Sequence, residues 1–137
     1  MEMDSIETIR SESEVGYTAY SGIEITAIGE GWCEACVHME KHHLNPSGAA
    51  HGGIIFALGD VAGGVAFKTL GGLPTTLSSN ITYFRPFLGD SVIYARADVV
   101  KFGKTTGFVN VQLLNEKKVE CARIAATYYN MKGRKQH

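Results

Sequence analysis

The chain has 137 residues, of which 45% are hydrophobic and 20% are charged. This is the balance of a globular protein large enough to bury its own core as one domain. Thirteen lysines and arginines against fourteen aspartates and glutamates give a formal net charge of -1. That charge argues against nucleic acid or an anionic membrane as the main partner.

The first residues are polar and acidic and contain no apolar core of a secretory signal, so we expect a cytoplasmic protein. Three cysteines, an odd number, fit reduced thiols better than a disulfide framework. Residues 1–19 are predicted to be an arm outside the main domain. Within it, residues 1–14 form either a short amphipathic helix or a loose segment, with Ile6 and Ile9 as the aliphatic pair.

The next segment alternates apolar and polar residues over 22–28, which predicts a half-buried strand. Residues 29–31 form a glycine-rich turn, and residues 32–44 are predicted to be a second strand that completes a hairpin. Residues 45–50 contain asparagine, proline, serine and glycine, and are therefore predicted to be a loop.

Residues 53–70 are apolar on nearly every side, and their number favours a helix over a strand. A helix that is apolar all round is a buried helix, and two glycines after it supply a stop. Four more strands are predicted over residues 75–84, 91–100, 106–114 and 120–129. We therefore expect an α+β domain over residues 20–131, with a sheet covering one central helix, and a basic tail at 132–137.

One carboxylate, Asp60, interrupts this apolar helix. Burying a charge costs several kcal/mol unless it is paired or hydrogen-bonded, so Asp60 is either a structural residue bonded to a neighbour or a functional one. Glycines lie around it at Gly59, Gly63 and Gly64. Each costs about 1 kcal/mol relative to alanine inside a helix. Tight helix packing would explain them, and so would a groove for a ligand or a second subunit.

The same helix begins at the sequence His51-Gly52-Gly53, where free N–H groups and a partial positive charge can hold an acceptor oxygen. Such a donor polarises a carbonyl in an oxyanion hole. Gly52 lies eight residues before Asp60, which is about 12 Å along a helix. A carbonyl and the water that attacks it lie about 3 Å apart. We therefore predict an obligate dimer in which Gly52 of one copy faces Asp60 of the other.

The run from Asn45 to Asp60 has the order Asn, short loop, His-Gly-Gly, four mainly apolar residues, Leu, one small residue and Asp. It resembles the signature of hotdog-fold thioesterases of the phenylacetyl-CoA (PaaI) type, in the 4-hydroxybenzoyl-CoA thioesterase superfamily. Residues 79–86 and 103–105 resemble the same family, and the likeness covers roughly residues 20–130. It implies a hotdog fold, an antiparallel sheet of about six strands wrapped around one long helix.

The resemblance also implies hydrolysis of an acyl-CoA without a metal or another cofactor, by homodimers that pair into homotetramers. Asp60 would activate the attacking water or attack as a nucleophile, and the Gly52 N–H would polarise the thioester carbonyl. Asn45 and His51 would shape the loop and the helix start, and Thr76 would orient the water. The residues expected to bind the substrate are Gly53, Arg85, Gly103, Lys104 and Thr105.

Two other functions remain open for the same pattern. One is a non-catalytic hotdog protein that binds acyl-CoA, which an intact Asp60 argues against. The other is a hotdog enoyl hydratase or dehydratase that uses His51 and Asp60, although the spacing of the motif resembles the thioesterase branch. The acyl group also stays open, with aromatic, short-chain and medium-chain CoA esters as candidates.

Two further patterns are weighed as redox or metal motifs. Cys33 and Cys36 resemble a redox Cys-x-x-Cys pair, but residues three apart in a strand point to opposite faces and do not close readily. His38, His42 and His43 show no closed four-ligand spacing. We therefore expect unpaired cysteines and solvated histidines.

Overall fold

The computed structural model describes residues 2–89 and 91–132, so that Met1, Asp90 and most of the predicted basic tail lie outside the described residues. The helices, in chain order, are α1 (Met3–Ser13), α2 (Gly16–Tyr20), a 3-10 helix (Lys41–His43) and α3 (Gly52–Thr69). The strands are β1 (Ile23–Gly29), β2 (Trp32–His38), β3 (Pro74–Tyr83), β4 (Val92–Phe102), β5 (Thr106–Leu114) and β6 (Glu120–Asn130).

The six strands form one antiparallel sheet in the order β1-β2-β4-β5-β6-β3. The predicted strands agree with these to within two residues at each end, apart from the second strand. β3 lies at one edge of the sheet, is ten residues long and carries Leu77 with 57% of its surface exposed. A long edge strand offers its unpaired backbone groups to another chain.

The predicted central helix is confirmed to within one residue at each end, as α3. It begins after His51, whose side chain accepts the N–H of Gly53. It ends at Thr69, two residues before Gly71, whose φ of +90° lies in the left-handed region that favours glycine. α3 packs against all six strands. By length and hydropathy alone α3 could span a membrane, but half of it is buried in the domain, as in the core helix of a folded protein.

The prediction of a strand over residues 32–44 is wrong in its second half, because β2 ends at His38 and the 3-10 helix follows. The reason lies in His43, which the sequence predicted to be solvated. Its Nδ1 accepts the N–H of Glu40 at 3.0 Å, and its Nε2 donates to the carbonyl of Ser21 at 2.7 Å. Only 5% of the residue is exposed. A ring with both nitrogens bonded can be buried, and its two partners bend the chain out of the strand.

The N-terminal segment packs on the main domain. Of the two forms expected for residues 1–14, the helix is present, and a second helix, α2, follows it without having been predicted. Ile6 and Ile9 of α1 contact the hydrophobic core. Glu14, just after α1, accepts the N–H of Ile25 through its Oε1 at 3.1 Å, which ties the segment to the edge strand β1.

The glycines around Asp60 separate into two kinds. A Cβ at Gly63 would lie 2.6 Å from the hydroxyl oxygen of Tyr128, and a Cβ at Gly59 would collide with the side chain of Ile124. A Cβ at Gly64 would meet no heavy atom closer than 3.8 Å. Tight packing between α3 and β6 therefore explains Gly59 and Gly63, and Gly64 faces an open groove.

Replacing each of two adjacent glycines by alanine tests this difference. Gly64→Ala should raise the free energy of unfolding by up to about 1 kcal/mol, because alanine favours the helix. Gly63→Ala gains the same propensity but pushes against Tyr128, so we expect it to be less stable than Gly64→Ala by roughly 1–3 kcal/mol. Urea unfolding at one fixed protein concentration measures both. Equal stabilisation by the two changes would contradict the packing described here.

Candidate active site

Asp60 lies in the middle of α3 with its side chain partly buried. Its Oδ1 accepts two hydrogen bonds, one from Thr76 Oγ1 at 3.0 Å and one from the hydroxyl of Tyr128 at 3.1 Å. The Tyr128 hydroxyl also lies 3.1 Å from the backbone carbonyl oxygen of Asp60. Within residues 2–89 and 91–132, no group hydrogen-bonds to Oδ2. One carboxylate oxygen is therefore held in place, and the other is free to act on a substrate.

The sheet places these two hydroxyl groups side by side. Thr76 of β3 is paired directly with Tyr128 of β6, so their side chains emerge on the same face. A register shift in β3 between Thr76 and Ser78 bends the strand next to this pair. Thr76 was expected to orient the attacking water; its hydroxyl is bonded to Asp60, and that role stays a prediction.

Tyr128 was missed by sequence reasoning, although a signal existed. Ala122, Ile124, Ala126 and Tyr128 occupy every second position of β6, and all are buried. A tyrosine at the end of such an inward-facing row needs a partner for its hydroxyl, and Asp60 was the available acceptor in the core helix. Burial raises the pKa of Tyr128, and the charge of Asp60 and the hydrogen bond raise it further. Its hydroxyl therefore remains a protonated donor at neutral pH.

Asp60 opens into a cavity of about 260 Å³. The residues that line it besides Asp60, Thr76 and Tyr128 are Glu12, Ser13, Val15, Thr18, Val61, Gly64, Val65, Lys68 and Pro74. Four of these belong to the N-terminal segment, which was expected outside the main domain. Lys68 Nζ donates to Ser13 Oγ at 3.4 Å and so joins α3 to that segment at the cavity. The segment therefore forms one wall of the space beside the carboxylate.

The start of α3 presents a second chemical feature. His51 Nδ1 accepts the N–H of Gly53 at 2.8 Å, which occupies that donor. The N–H of Gly52, the first residue of α3, has no acceptor within the described part of the chain. The hydroxyl of Tyr83 donates to the Gly52 carbonyl at 2.9 Å, and a Cβ at Gly52 would lie 3.0 Å from that hydroxyl oxygen. Gly52 therefore combines a free donor with the smallest possible side chain.

Asn45 holds the loop before the helix. Its Oδ1 accepts the N–H groups of Ser47 and Ala49 at 2.9 and 3.1 Å, which fixes the turn as an asparagine-stabilised turn. Asn45, Gly52 and Arg85 line a second cavity, of about 360 Å³, that does not include Asp60. Asn45 and Arg85, both expected at the site, therefore lie with Gly52 rather than with the carboxylate.

The expected substrate-binding turn lies at the other end of α3. Gly103, Lys104 and Thr105 connect β4 to β5, where the N–H of Gly103 donates to the carbonyl of Thr106 at 2.9 Å and Lys104 is exposed. Gly107, just beyond the turn, is paired with Tyr128, so the turn adjoins the hydroxyl groups that hold Asp60. Within one protomer the expected site residues therefore lie in two places. Asn45 and Arg85 lie near Gly52, and Thr76 and the 103–105 turn lie near Asp60.

The cysteines carry no redox pair. All three are free and buried. Cys33 and Cys36 lie three residues apart in β2 and therefore on opposite faces, as the sequence predicted, and Cys33 is the one in the hydrophobic core. Burial raises the pKa of Cys33 to about 12, so its thiol is unreactive at neutral pH.

Comparison with known proteins gives the context for this geometry. The sequence profile of the family described as "Thioesterase superfamily" matches residues 47–122. The acyl-coenzyme A thioesterase PaaI of Escherichia coli K12 is 26% identical over 112 residues, which cover 82% of this chain and 80% of PaaI. Acyl-coenzyme A thioesterase 13 of Pongo abelii is 37% identical over 93 residues, which cover 66% of this chain and 64% of that protein.

Solved structures agree with the fold. The structure of the E. coli PaaI protein from the phenylacetic acid degradation operon has a TM-score of 0.87 at 24% identity and covers 94% of each chain. A Streptococcus mutans UA159 protein, solved bound to acetyl CoA, has a TM-score of 0.78 at 28% identity, covering 82% of this chain and 91% of its own. The expected hotdog fold is thereby confirmed. The roles of the individual residues stay predictions.

A titration of tyrosine absorbance tests the contact between Tyr128 and Asp60. The chain has six tyrosines, and we expect Tyr128 to ionise at a higher pH than an exposed tyrosine, near or beyond alkaline unfolding. In Asp60→Asn the negative charge is gone, so the pKa of Tyr128 should fall while remaining raised by burial. Tyr128→Phe lacks this hydroxyl, so the transition that is missing from its titration is the one that belongs to Tyr128. An identical transition in wild type and Asp60→Asn would contradict the contact.

Proposed function

The chain belongs to the thioesterase superfamily, and on that basis we propose that its acyl-CoA substrate is hydrolysed at sites that two protomers share. It is an acyl-CoA thioesterase. Water adds to the thioester carbonyl, the carbon–sulfur bond breaks, and the products are a free acid and CoA. The observation that carries the assignment of Asp60 is its geometry, a carboxylate with one oxygen held by two hydroxyls and the other unbonded.

Asp60 is the group that activates water in this proposal. The hydroxyls of Thr76 and Tyr128 fix Oδ1, so that Oδ2 points in one direction and accepts the proton of the attacking water. Alternatively, Oδ2 attacks the carbonyl carbon itself, the carbon–sulfur bond breaks with release of the CoA thiolate, and water then hydrolyses the mixed anhydride to the free acid and Asp60. In both cases Thr76 and Tyr128 orient the reacting oxygen.

The Gly52 N–H polarises the carbonyl. It is the free donor at the start of α3, since His51 occupies the N–H of Gly53. The helix dipole adds a partial positive charge at the same place. A single donor of this kind lowers the barrier of acyl transfer by roughly 2.7–4 kcal/mol. Together, Asp60 and Gly52 supply a base and an electrophile, and the proposed reaction requires no metal or other cofactor.

The distance between the two groups supports a shared site. Both lie on α3, about 12 Å apart along its axis, and in one protomer they face different cavities. The outer edge of β3 has no partner strand among the described residues, and β3 carries the exposed Leu77. α3 leaves the apolar side chains of Phe56 and Val61 partly exposed. Antiparallel pairing of β3 with β3 of a second copy would cover both surfaces. The two α3 helices then run antiparallel, and Gly52 of one faces Asp60 of the other.

Two exposed cations are proposed to bind the CoA moiety. Within the described part of the chain, neither Lys104 nor Arg85 forms an ion pair, so both are available for phosphate oxygens. Lys104 lies on the side of Asp60, and Gly103 and Thr105 set its turn. Arg85 lies on the side of Gly52, in the cavity that Asn45 also lines. Gly53 follows Gly52 at the helix start, with its N–H bonded to His51. Shared sites would bring one cation from each protomer to the same substrate.

The proposal also includes the cellular compartment and the oligomeric state. We place the protein in the cytoplasm, where its three free cysteines would stay reduced. We also propose that two dimers associate into a homotetramer, as the resemblance implies. A catalytically inactive acyl-CoA-binding protein was the alternative from the sequence, and the unbonded Oδ2 of Asp60 and the thioesterase relatives favour catalysis over it.

Three variants test the catalytic roles against a panel of aromatic, short-chain and medium-chain acyl-CoA esters, with a thiol reagent to detect CoA. Asp60→Asn should lower kcat/KM by roughly 10²–10⁴. Gly52→Pro removes the N–H, and proline is tolerated at the first helical position after the extended His51. We expect it to lose about 10²–10³ in kcat.

Gly52→Ala is the matched control for the proline variant. Both changes add a Cβ that meets the Tyr83 hydroxyl, but only alanine keeps the N–H. Alanine should therefore retain most of the activity that proline loses. Equal rates in the two variants would contradict the proposal that the Gly52 N–H polarises the thioester carbonyl. Binding of acyl-CoA without any release of CoA by the wild type would instead support the binding protein.

A further inference from the structure

The hairpin of β1 and β2 carries a cluster of potential metal ligands on the face of the sheet turned away from α3. Glu24 of β1 is paired directly with Cys36 of β2, and His38 lies two residues after Cys36. All three side chains therefore emerge on the same face. A carboxylate oxygen of Glu24, the sulfur of Cys36 and a ring nitrogen of His38 lie within 4.8 Å of one another.

These three groups have no other hydrogen-bond partners within residues 2–89 and 91–132. The remaining two cysteines, Cys33 and Cys121, donate their S–H groups to backbone carbonyls. The Cys36 thiol makes no such bond, although only 4% of the residue is exposed. A buried thiol is thus directed at an exposed carboxylate and an exposed imidazole that form no ion pair.

We propose that Glu24, Cys36 and His38 bind a divalent cation of the zinc class. One thiolate, one imidazole and one carboxylate are the ligand types that zinc accepts, and three protein ligands leave a fourth tetrahedral position for water. Bond lengths of about 2.0–2.3 Å require ligand atoms about 3.3–3.8 Å apart. The exposed side chains of Glu24 and His38 can close that difference by changing rotamer, while the buried Cys36 stays fixed.

The chemistry of binding follows from the protonation of the ligands. Cys36 must release its proton, so the affinity rises with pH and each bound cation displaces about one proton into solution. Burial and the charge of Glu24 raise the pKa of the Cys36 thiol, and a bound dication reverses that effect because it stabilises the thiolate. The cation would join the edge strand β1 to β2 and so stabilise the hairpin against unfolding.

This site is separate from Asp60. Asp60 projects from α3, on the inner face of the sheet, and its bonded partners lie on β3 and β6 at the opposite edge from β1. Changes in the hairpin cluster should therefore alter cation binding without altering the hydrolysis of acyl-CoA. Unchanged hydrolysis also serves as the check that a variant is folded.

Titration of chelator-treated protein with Co²⁺ and then Zn²⁺ tests the site. We expect one Co²⁺ per chain with a thiolate-to-cobalt charge-transfer band, lost when Zn²⁺ displaces it. Cys36→Ala should abolish the band, and His38→Ala and Glu24→Gln should each weaken Zn²⁺ binding by about tenfold or more. His42→Ala removes an exposed histidine outside the cluster and should bind like wild type.

Either of two results would overturn the proposal. One is the absence of a charge-transfer band in wild type at saturating Co²⁺. The other is wild-type affinity for Zn²⁺ in both His38→Ala and Glu24→Gln. Because these two side chains are exposed, their replacement leaves the core intact, and the test stands even if Cys36→Ala fails to fold.

Discussion

Two hydroxyl groups share one oxygen of the carboxylate in the core helix, and the rest of the site depends on this arrangement. Thr76 and Tyr128 are paired on adjacent strands, and Gly63 has no side chain where the Tyr128 hydroxyl passes. The hydrogen bonds offset the cost of placing Asp60 in an apolar helix. They also leave a single oxygen free, which gives the carboxylate one reactive direction.

A single straight helix cannot complete the reaction with its own groups. α3 fixes the spacing of Gly52 and Asp60 at eight residues. The sheet that buries one side of α3 ends at β3, whose outer edge has no partner strand among the described residues. The position of α3 on the sheet therefore separates the Gly52 donor from the Asp60 carboxylate and also exposes the surfaces on which a second copy can pack. In this account dimerisation and catalysis have one structural cause, the placement of the helix across the sheet with its far side uncovered.

The sequence predicted the elements whose signal is local. The apolar run of α3 and the alternation of the later strands gave bounds correct to within one or two residues. His43 and Tyr128 were not foreseen, because each depends on a partner distant in the chain, Ser21 in one case and Asp60 in the other. The N-terminal segment was set apart for the same reason, since no local pattern reveals that it lines the Asp60 cavity.

Mixed dimers test the central claim most directly. Gly52→Pro and Asp60→Asn chains, each expected to be at least about a hundredfold less active than wild type, are unfolded together and refolded so that protomers exchange. If each site combines Gly52 of one protomer with Asp60 of the other, every mixed dimer contains one intact site and one doubly altered site. With random pairing, about a quarter of the wild-type activity should return. If Gly52 and Asp60 act within the same protomer, no mixed dimer has an intact site, and the mixture stays inactive. That result would contradict the shared site.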